Sequence, residues 1–201
     1  GRMAEGYYMD GDILEIIVFD KILSDDERAK INYYLSNKWG LESTVDSDGD
    51  GLLDVNDDDP LNKPFVDFSD SVDAQIGEAS GLDTIEGNLS LWLDASNIDL
   101  QSNATLSDGF AISEWKDLSG NGQNVSQSDA DFMPLMKESV LNNKDVIEFD
   151  GTNDFLSKNT LTNWPVNDIS IFIVQKSIAK KQSTLSIDGL WTSSINSQGV
   201  G

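Results

Sequence analysis

The sequence predicts a mainly β protein: a sandwich of short strands, carrying one short α-helix and one acidic loop suited to a cation. Three observations carry this. Short β-branched and aromatic runs recur at about ten-residue spacing through the second half, with Gly, Asn and Asp between them. A single capping box, Ser24-Asp-Asp-Glu27, opens one stretch of helical periodicity. Seven Asp fall within residues 46–59, with no Lys or Arg among them.

The first run, Asp12–Asp20, is Asp-Ile-Leu-Glu-Ile-Ile-Val-Phe-Asp after Gly11 and reads as a buried strand. The capping box then starts a helix to about Lys38, with Ile31, Tyr34, Leu35 and Lys38 three and four apart. Gly40 stands where a helix closes in left-handed geometry. Residues 65–88 hold acids and no base, and read as a linker with at most one weak edge strand. Further strands are expected at Leu89–Ala95, Ala111–Trp115, Val146–Phe149, Ile169–Gln175 and Thr184–Ile187, with turns at Asp117–Gly122 and Asp150–Asp154.

Close-packed carboxylates repel one another, so residues 46–59 do not hold a compact shape alone. A hard divalent cation removes that repulsion, and calcium takes six to eight oxygen ligands. With Asp46 as position 1, acids fall at 1, 3, 5, 9 and 12: Asp46, Asp48, Asp50, Asp54 and Asp57. Position 7, Leu52, offers its backbone carbonyl, and Gly51 occupies position 6, where such a loop turns sharply. Asp57 replaces the longer Glu of an EF-hand and no long amphipathic helix leads in, so this is not a helix–loop–helix hand. The predicted ligand set for one Ca2+ is therefore Asp46, Asp48, Asp50, Asp54, Asp57 and the Leu52 carbonyl. Asn56, Asp58 and Asp59 are left for a second ion or for solvent.

The run Asp46–Asp57 resembles a thrombospondin type 3 calcium repeat, D-x-D-x-D-G-x-x-D-x-x-D, at every position. That resemblance implies a calcium-bound connector of secreted or cell-surface proteins. Leu91-Trp-Leu-Asp-Ala-Ser96, Trp115-Lys-Asp-Leu-Ser-Gly-Asn-Gly122, Phe149-Asp-Gly-Thr-Asn-Asp-Phe-Leu156 and Ile171-Phe-Ile-Val174 resemble the opening of a concanavalin A-like, laminin G-like jelly roll of bacterial secreted proteins. Gly11–Asp20, Leu23–Arg28 and Lys38-Trp-Gly-Leu41 resemble the closing segment of that family. The implied organisation is a jelly-roll tail over 1–42, the calcium loop over 43–64, the acidic linker over 65–88, and a jelly-roll head over 89–201. Such a window, cut from a tandem array in a longer protein, supplies complementary parts of one fold. Residues 1–42 are then expected to offer an edge to 89–201, and 89–201 alone to be poorly stable.

Composition narrows function. Thirty-six acids against 13 bases give a net charge of −23, which rules against nucleic acid or an anionic membrane as partner. No Cys and no His occur, which excludes disulfides, thiol catalysis, Cys-based zinc sites and the commonest general base. No apolar run reaches membrane-spanning length, so no membrane insertion is expected. Glycoside hydrolases of related folds need two carboxylates beside the sugar bond. The nearest pattern, Glu148-Phe-Asp150-Gly-Thr-Asn153, ends in Asn and breaks into a turn, so the chain is read as non-catalytic. Candidate sugar contacts are Trp164, Trp191, Tyr7, Tyr8, Asp117, Asn121, Asp150 and Asp154, while Trp92, Trp115, Phe149, Phe155 and Phe172 read as core. The reading is a calcium-binding segment of an extracellular, adhesion-type protein whose partner is a glycan or a surface or matrix protein. The competing reading is a carbohydrate-binding module of a polysaccharide-degrading enzyme.

Overall fold

β1, Asp10–Phe19, is buried along nearly its whole length, and its end, Ile16-Ile-Val-Phe19, is wholly apolar. A computed structural model describes residues 8–49, 51–61, 88–162, 164–165 and 167–177, and the backbone alone of 181–187 and 191–196. The expected linker at 65–88, except Asn88, lies outside those residues, as do Tyr7, Asp50 and the Trp191 side chain. The remaining elements in chain order are α1 (Asp25–Trp39), β2 (Leu89–Asp94), β3 (Glu114–Trp115), β4 (Val125–Ser126), β5 (Leu135–Leu141), β6 (Lys144–Asp150), β7 (Ser170–Ser177), β8 (Lys181–Ile187) and β9 (Trp191–Asn196). The protein is thus mainly β with one α-helix among the described residues.

The strands form a sheet in the order β2-β1-β6-β5, with β7 also paired to β1, and two smaller sheets, β3-β4 and β8-β9. The chain divides into two units, and the division falls within β1, β2 and β7. One unit comprises Gly1–Ile17, Leu91–Asn163 and Phe172–Gly201; the other comprises Val18–Ser90 and Trp164–Ile171.

In the first unit β1 lies antiparallel to β6, with Asp10, Gly11, Asp12 and Ile13 opposite Asp150, Phe149, Glu148 and Ile147. The opening of the chain therefore shares a sheet with its second half. Gly11 has φ 140, and a Cβ there would stand 2.1 Å from the Lys176 carbonyl oxygen, so no larger residue fits between the strands. Ile13, Leu14, Ile17, Trp92, Trp115, Ile147 and Phe149 are buried, but Phe155 and Phe172, expected in the core, are only half-buried. Phe155 packs instead against Phe132, with ring centroids 5.9 Å apart. The fully buried Glu15 accepts the Trp92 indole hydrogen at 2.7 Å, and Trp115 donates its own to the Asp94 carbonyl at 3.1 Å.

Four strands differ from expectation, among them β4 and β9, neither of which was expected from the sequence. Ala111–Trp115 shrinks to Glu114–Trp115, with Ala111 making only an isolated bridge to Leu135. β5 was not expected at all. Its sequence, Leu-Met-Lys-Glu-Ser-Val-Leu, loses alternation because the pairing with β6 shifts register between Lys137 and Leu141, where Ser139 has φ 54. The turn into β6 is Asn142-Asn143, both at positive φ, the two-residue hairpin turn that Asn tolerates.

In the second unit α1 is built as its sequence dictates. The Ser24 hydroxyl accepts the Glu27 amide hydrogen, and the Glu27 carboxylate accepts that of Ser24. Ile31, Leu35 and Trp39 are buried, and Gly40 ends the helix at φ 68, ψ 39. The Ser170 hydroxyl donates to the Lys21 carbonyl and accepts from the Leu23 amide, which ties Trp164–Ile171 to the turn before α1.

Candidate metal centre

The acidic loop follows α1 directly and belongs to the second unit. The end of the helix fixes its ends. The Val45 amide donates to the Leu41 carbonyl, the Asp54 amide to the Val45 carbonyl at 2.8 Å, and the Val55 amide to the Glu42 carbonyl at 3.0 Å. Residues 46–53 therefore leave and return at one place.

Inside that closure Asp46 turns toward its own loop. Its Oδ1 accepts the Gly49 amide hydrogen at 2.7 Å and its Oδ2 that of Gly51 at 2.9 Å. Gly49 and Gly51 have φ 80 and φ 99, which their lack of a Cβ allows. Asp54 is buried and committed elsewhere: its carboxylate accepts the Ser47 amide and hydroxyl, both at 2.8 Å, and the Ser36 hydroxyl of α1. Asp57 Oδ1 accepts the Asp59 amide hydrogen at 2.8 Å. Asp48 is half-buried, and Leu52, Leu53 and Val55 are exposed.

The side-chain donors of Asp46, Asp48, Asp54 and Asp57 are all oxygen, the donor type a hard cation takes, on a loop with tethered ends. Among the described residues each Asp46 oxygen accepts one amide and Asp54 Oδ1 likewise accepts one, whereas Asp54 Oδ2 accepts two donors. Among the described residues no three carboxylates stand gathered into a group able to hold a metal ion, and Asp50 is not one of those residues. What the geometry provides is one carboxylate turned into a closed loop and a second that fastens the loop to the helix. The anchoring role of Asp54 needed Ser36, eighteen residues earlier; the only signal in the sequence was a Ser one turn from the end of α1.

The other residues singled out from the sequence sit apart. Asp117 is buried and fully used: Oδ1 accepts the amides of Trp92 and Ser119, and Oδ2 the Ser119 hydroxyl and the Gln123 amide. Asn121 is exposed and Trp164 half-buried. Asp150 is exposed; burial pushes its carboxyl up, but the amides of Thr152, Asn153 and Asp154 outweigh this and hold it below the usual range. Asp154 is buried, and burial with the neighbouring Asp150 and Glu148 charges pushes it up. Glu148 is paired with Lys137 at 3.3 Å and faces Asp12 across the strands.

No helix among the described residues is long and apolar enough to cross a membrane. No protein-family model, no curated protein and no solved structure gives a match to this chain.

Proposed function

We propose that the chain is a calcium-binding, non-catalytic segment of a secreted or cell-surface adhesion-type protein, with jelly-roll modules flanking the loop. The observation that carries the reading is the inward Asp46 carboxylate, held on the Gly49 and Gly51 amides within a loop closed at Val45 and Asp54. In this reading Asp46, Asp48, Asp50, Asp57 and the Leu52 carbonyl take the ion. Asp54, expected from the sequence to join them, keeps its place on Ser36 and Ser47 and fixes the loop to α1. Calcium is favoured over magnesium because the protein ligands are many and the loop adaptable, whereas magnesium keeps its waters. Neutralising the repulsion orders the segment, and an ordered segment stiffens the connection from α1 onward.

Titration calorimetry of the whole chain tests this. Saturable calcium binding is expected, with much weaker response to magnesium. Asp50→Ala should reduce calcium affinity by about tenfold or more, some 1.4 kcal/mol, while Asp70→Ala, an equal change of charge outside the loop, should change it little. No saturable heat at millimolar calcium, or equal losses in both variants, would leave only a solvated acidic run.

A further inference from the structure

The first unit carries a second feature that no sequence motif announced: a polar groove of about 410 Å³ over the β3-β4 pair. Its floor is a row of three residues in register. Glu114 is opposite Ser126 in β3 and β4, and Ser126 is opposite Ser157 through a bridge whose two amides donate at 2.8 and 3.0 Å. Residues directly opposite on neighbouring strands point to the same face, so these three side chains stand side by side. Trp115, next to Glu114 in β3 and so on the opposite face, is buried.

The walls are set in advance. Asn124 accepts the Asp117 amide hydrogen at 3.0 Å and donates to Glu114 Oε1 at 3.1 Å, so its side chain is fixed at both ends. Lys158 donates to the Gly122 carbonyl at 2.7 Å, which leaves two of its three hydrogens for a ligand. The lining holds no apolar side chain. It gathers instead hydroxyls, which both donate and accept, with amides, one carboxylate and one ammonium.

We propose that this groove binds a neutral saccharide through its ring hydroxyls. The volume falls within the usual range for small-ligand sites, about 300–1,000 Å³. An apolar ligand finds no surface there, and an anionic one meets a chain of net charge −23. Vicinal hydroxyls match the row: each donates to a carboxylate or amide oxygen and accepts from Ser, Asn or Lys. Fixed side chains reduce the ordering cost of binding. Without an aromatic face the affinity rests on hydrogen bonds of about 1 kcal/mol each, which places Kd in the millimolar range. The groove lies in the first unit and the inference does not depend on calcium binding.

The test is an amide NMR titration of the whole chain with maltose, cellobiose and N,N′-diacetylchitobiose, each to about ten times a millimolar Kd. At least one should give saturable shifts centred on Glu114, Gly122–Ser128 and Ser157–Asn159. Ser126→Val suits a strand and fills the groove, so it should weaken that response about tenfold with melting unchanged. Should it disturb folding, Asn159→Ala on the exposed rim replaces it, with a smaller loss of a fewfold. Glycerol at matched hydroxyl concentration should not saturate. No saturable shifts with any of the three sugars, shifts centred elsewhere, shifts unaltered by both variants, or an equal response to glycerol would overturn the proposal.

Discussion

Two loops of this chain are organised by a buried aspartate, and they differ in how much further charge they carry. In Asp117–Asn124 one carboxylate accepts three amides and a hydroxyl, and the charge is met by backbone donors. In Asp46–Asp57 Asp54 does the same on a smaller scale, accepting one amide and two hydroxyls. But that second loop carries further carboxylates on Asp46, Asp48, Asp50 and Asp57, with no base in the run. A single carboxylate among amides stabilises a turn by itself. Five carboxylates in one run with no base repel one another, and in the proposed reading a cation offsets that repulsion. Residues 117–124 hold one Asp, and residues 46–57 hold five.

The largest expected effect comes from deleting the two anchors. Asp117→Ala leaves the buried amides of Trp92 and Gln123 and the Ser119 amide without their acceptor. It should cost about 3–5 kcal/mol in urea unfolding, equally with calcium or EDTA. Asp54→Ala frees fewer groups and should cost about 1–3 kcal/mol, with weaker calcium affinity because the loop loses its tie to α1. Equal calcium dependence in the two variants would break the distinction.

Hydrogen exchange sharpens it next. Calcium should slow exchange in the amides of 46–57 by about tenfold or more and leave those of 117–124 unchanged. Slowing in both loops would mean that the ion acts on the whole chain.

Asp12 is a third case, a strand carboxylate whose state is set first by burial. It is buried and faces Glu148 directly, with Lys176 of β7 and Lys137 of β5 nearby. Burial pushes its carboxyl above 3.8; Lys176 and Lys137 lower it in part, and Glu148 raises it. A raised folded value favours the protonated fold, so that contribution is complete below 3.8 and is lost as pH rises through the folded value. Asp12→Asn should therefore match the parent near pH 3 and be more stable near pH 7. A variant less stable at pH 7 would show that the lysines outweigh burial.

The smallest effect belongs to Glu27, whose pairing with Lys21 and the Ser24 amide holds its carboxyl below 4.5. Its contribution is present above 4.5 and is lost as pH falls through the lowered value. Glu27→Ala should cost about 1 kcal/mol at pH 7 in thermal melts and less near pH 3.

The sequence by itself determined what depends on near neighbours. Ser24, Glu27 and Gly40 bound α1 because capping acts within one turn. The β-branched run Asp12–Asp20 specified a buried strand, observed as Asp10–Phe19. Tertiary structure decided everything that needed a partner far along the chain. β5 lacks its own alternation and exists because β6 supplies its hydrogen bonds. Asp54 is tied to Ser36 of α1, eighteen residues earlier, and Asp117 to the Trp92 amide, twenty-five residues earlier. The groove row of Glu114, Ser126 and Ser157 follows the same rule. Polar residues on three separate segments carry no common period, and only strand register brings their side chains to one face.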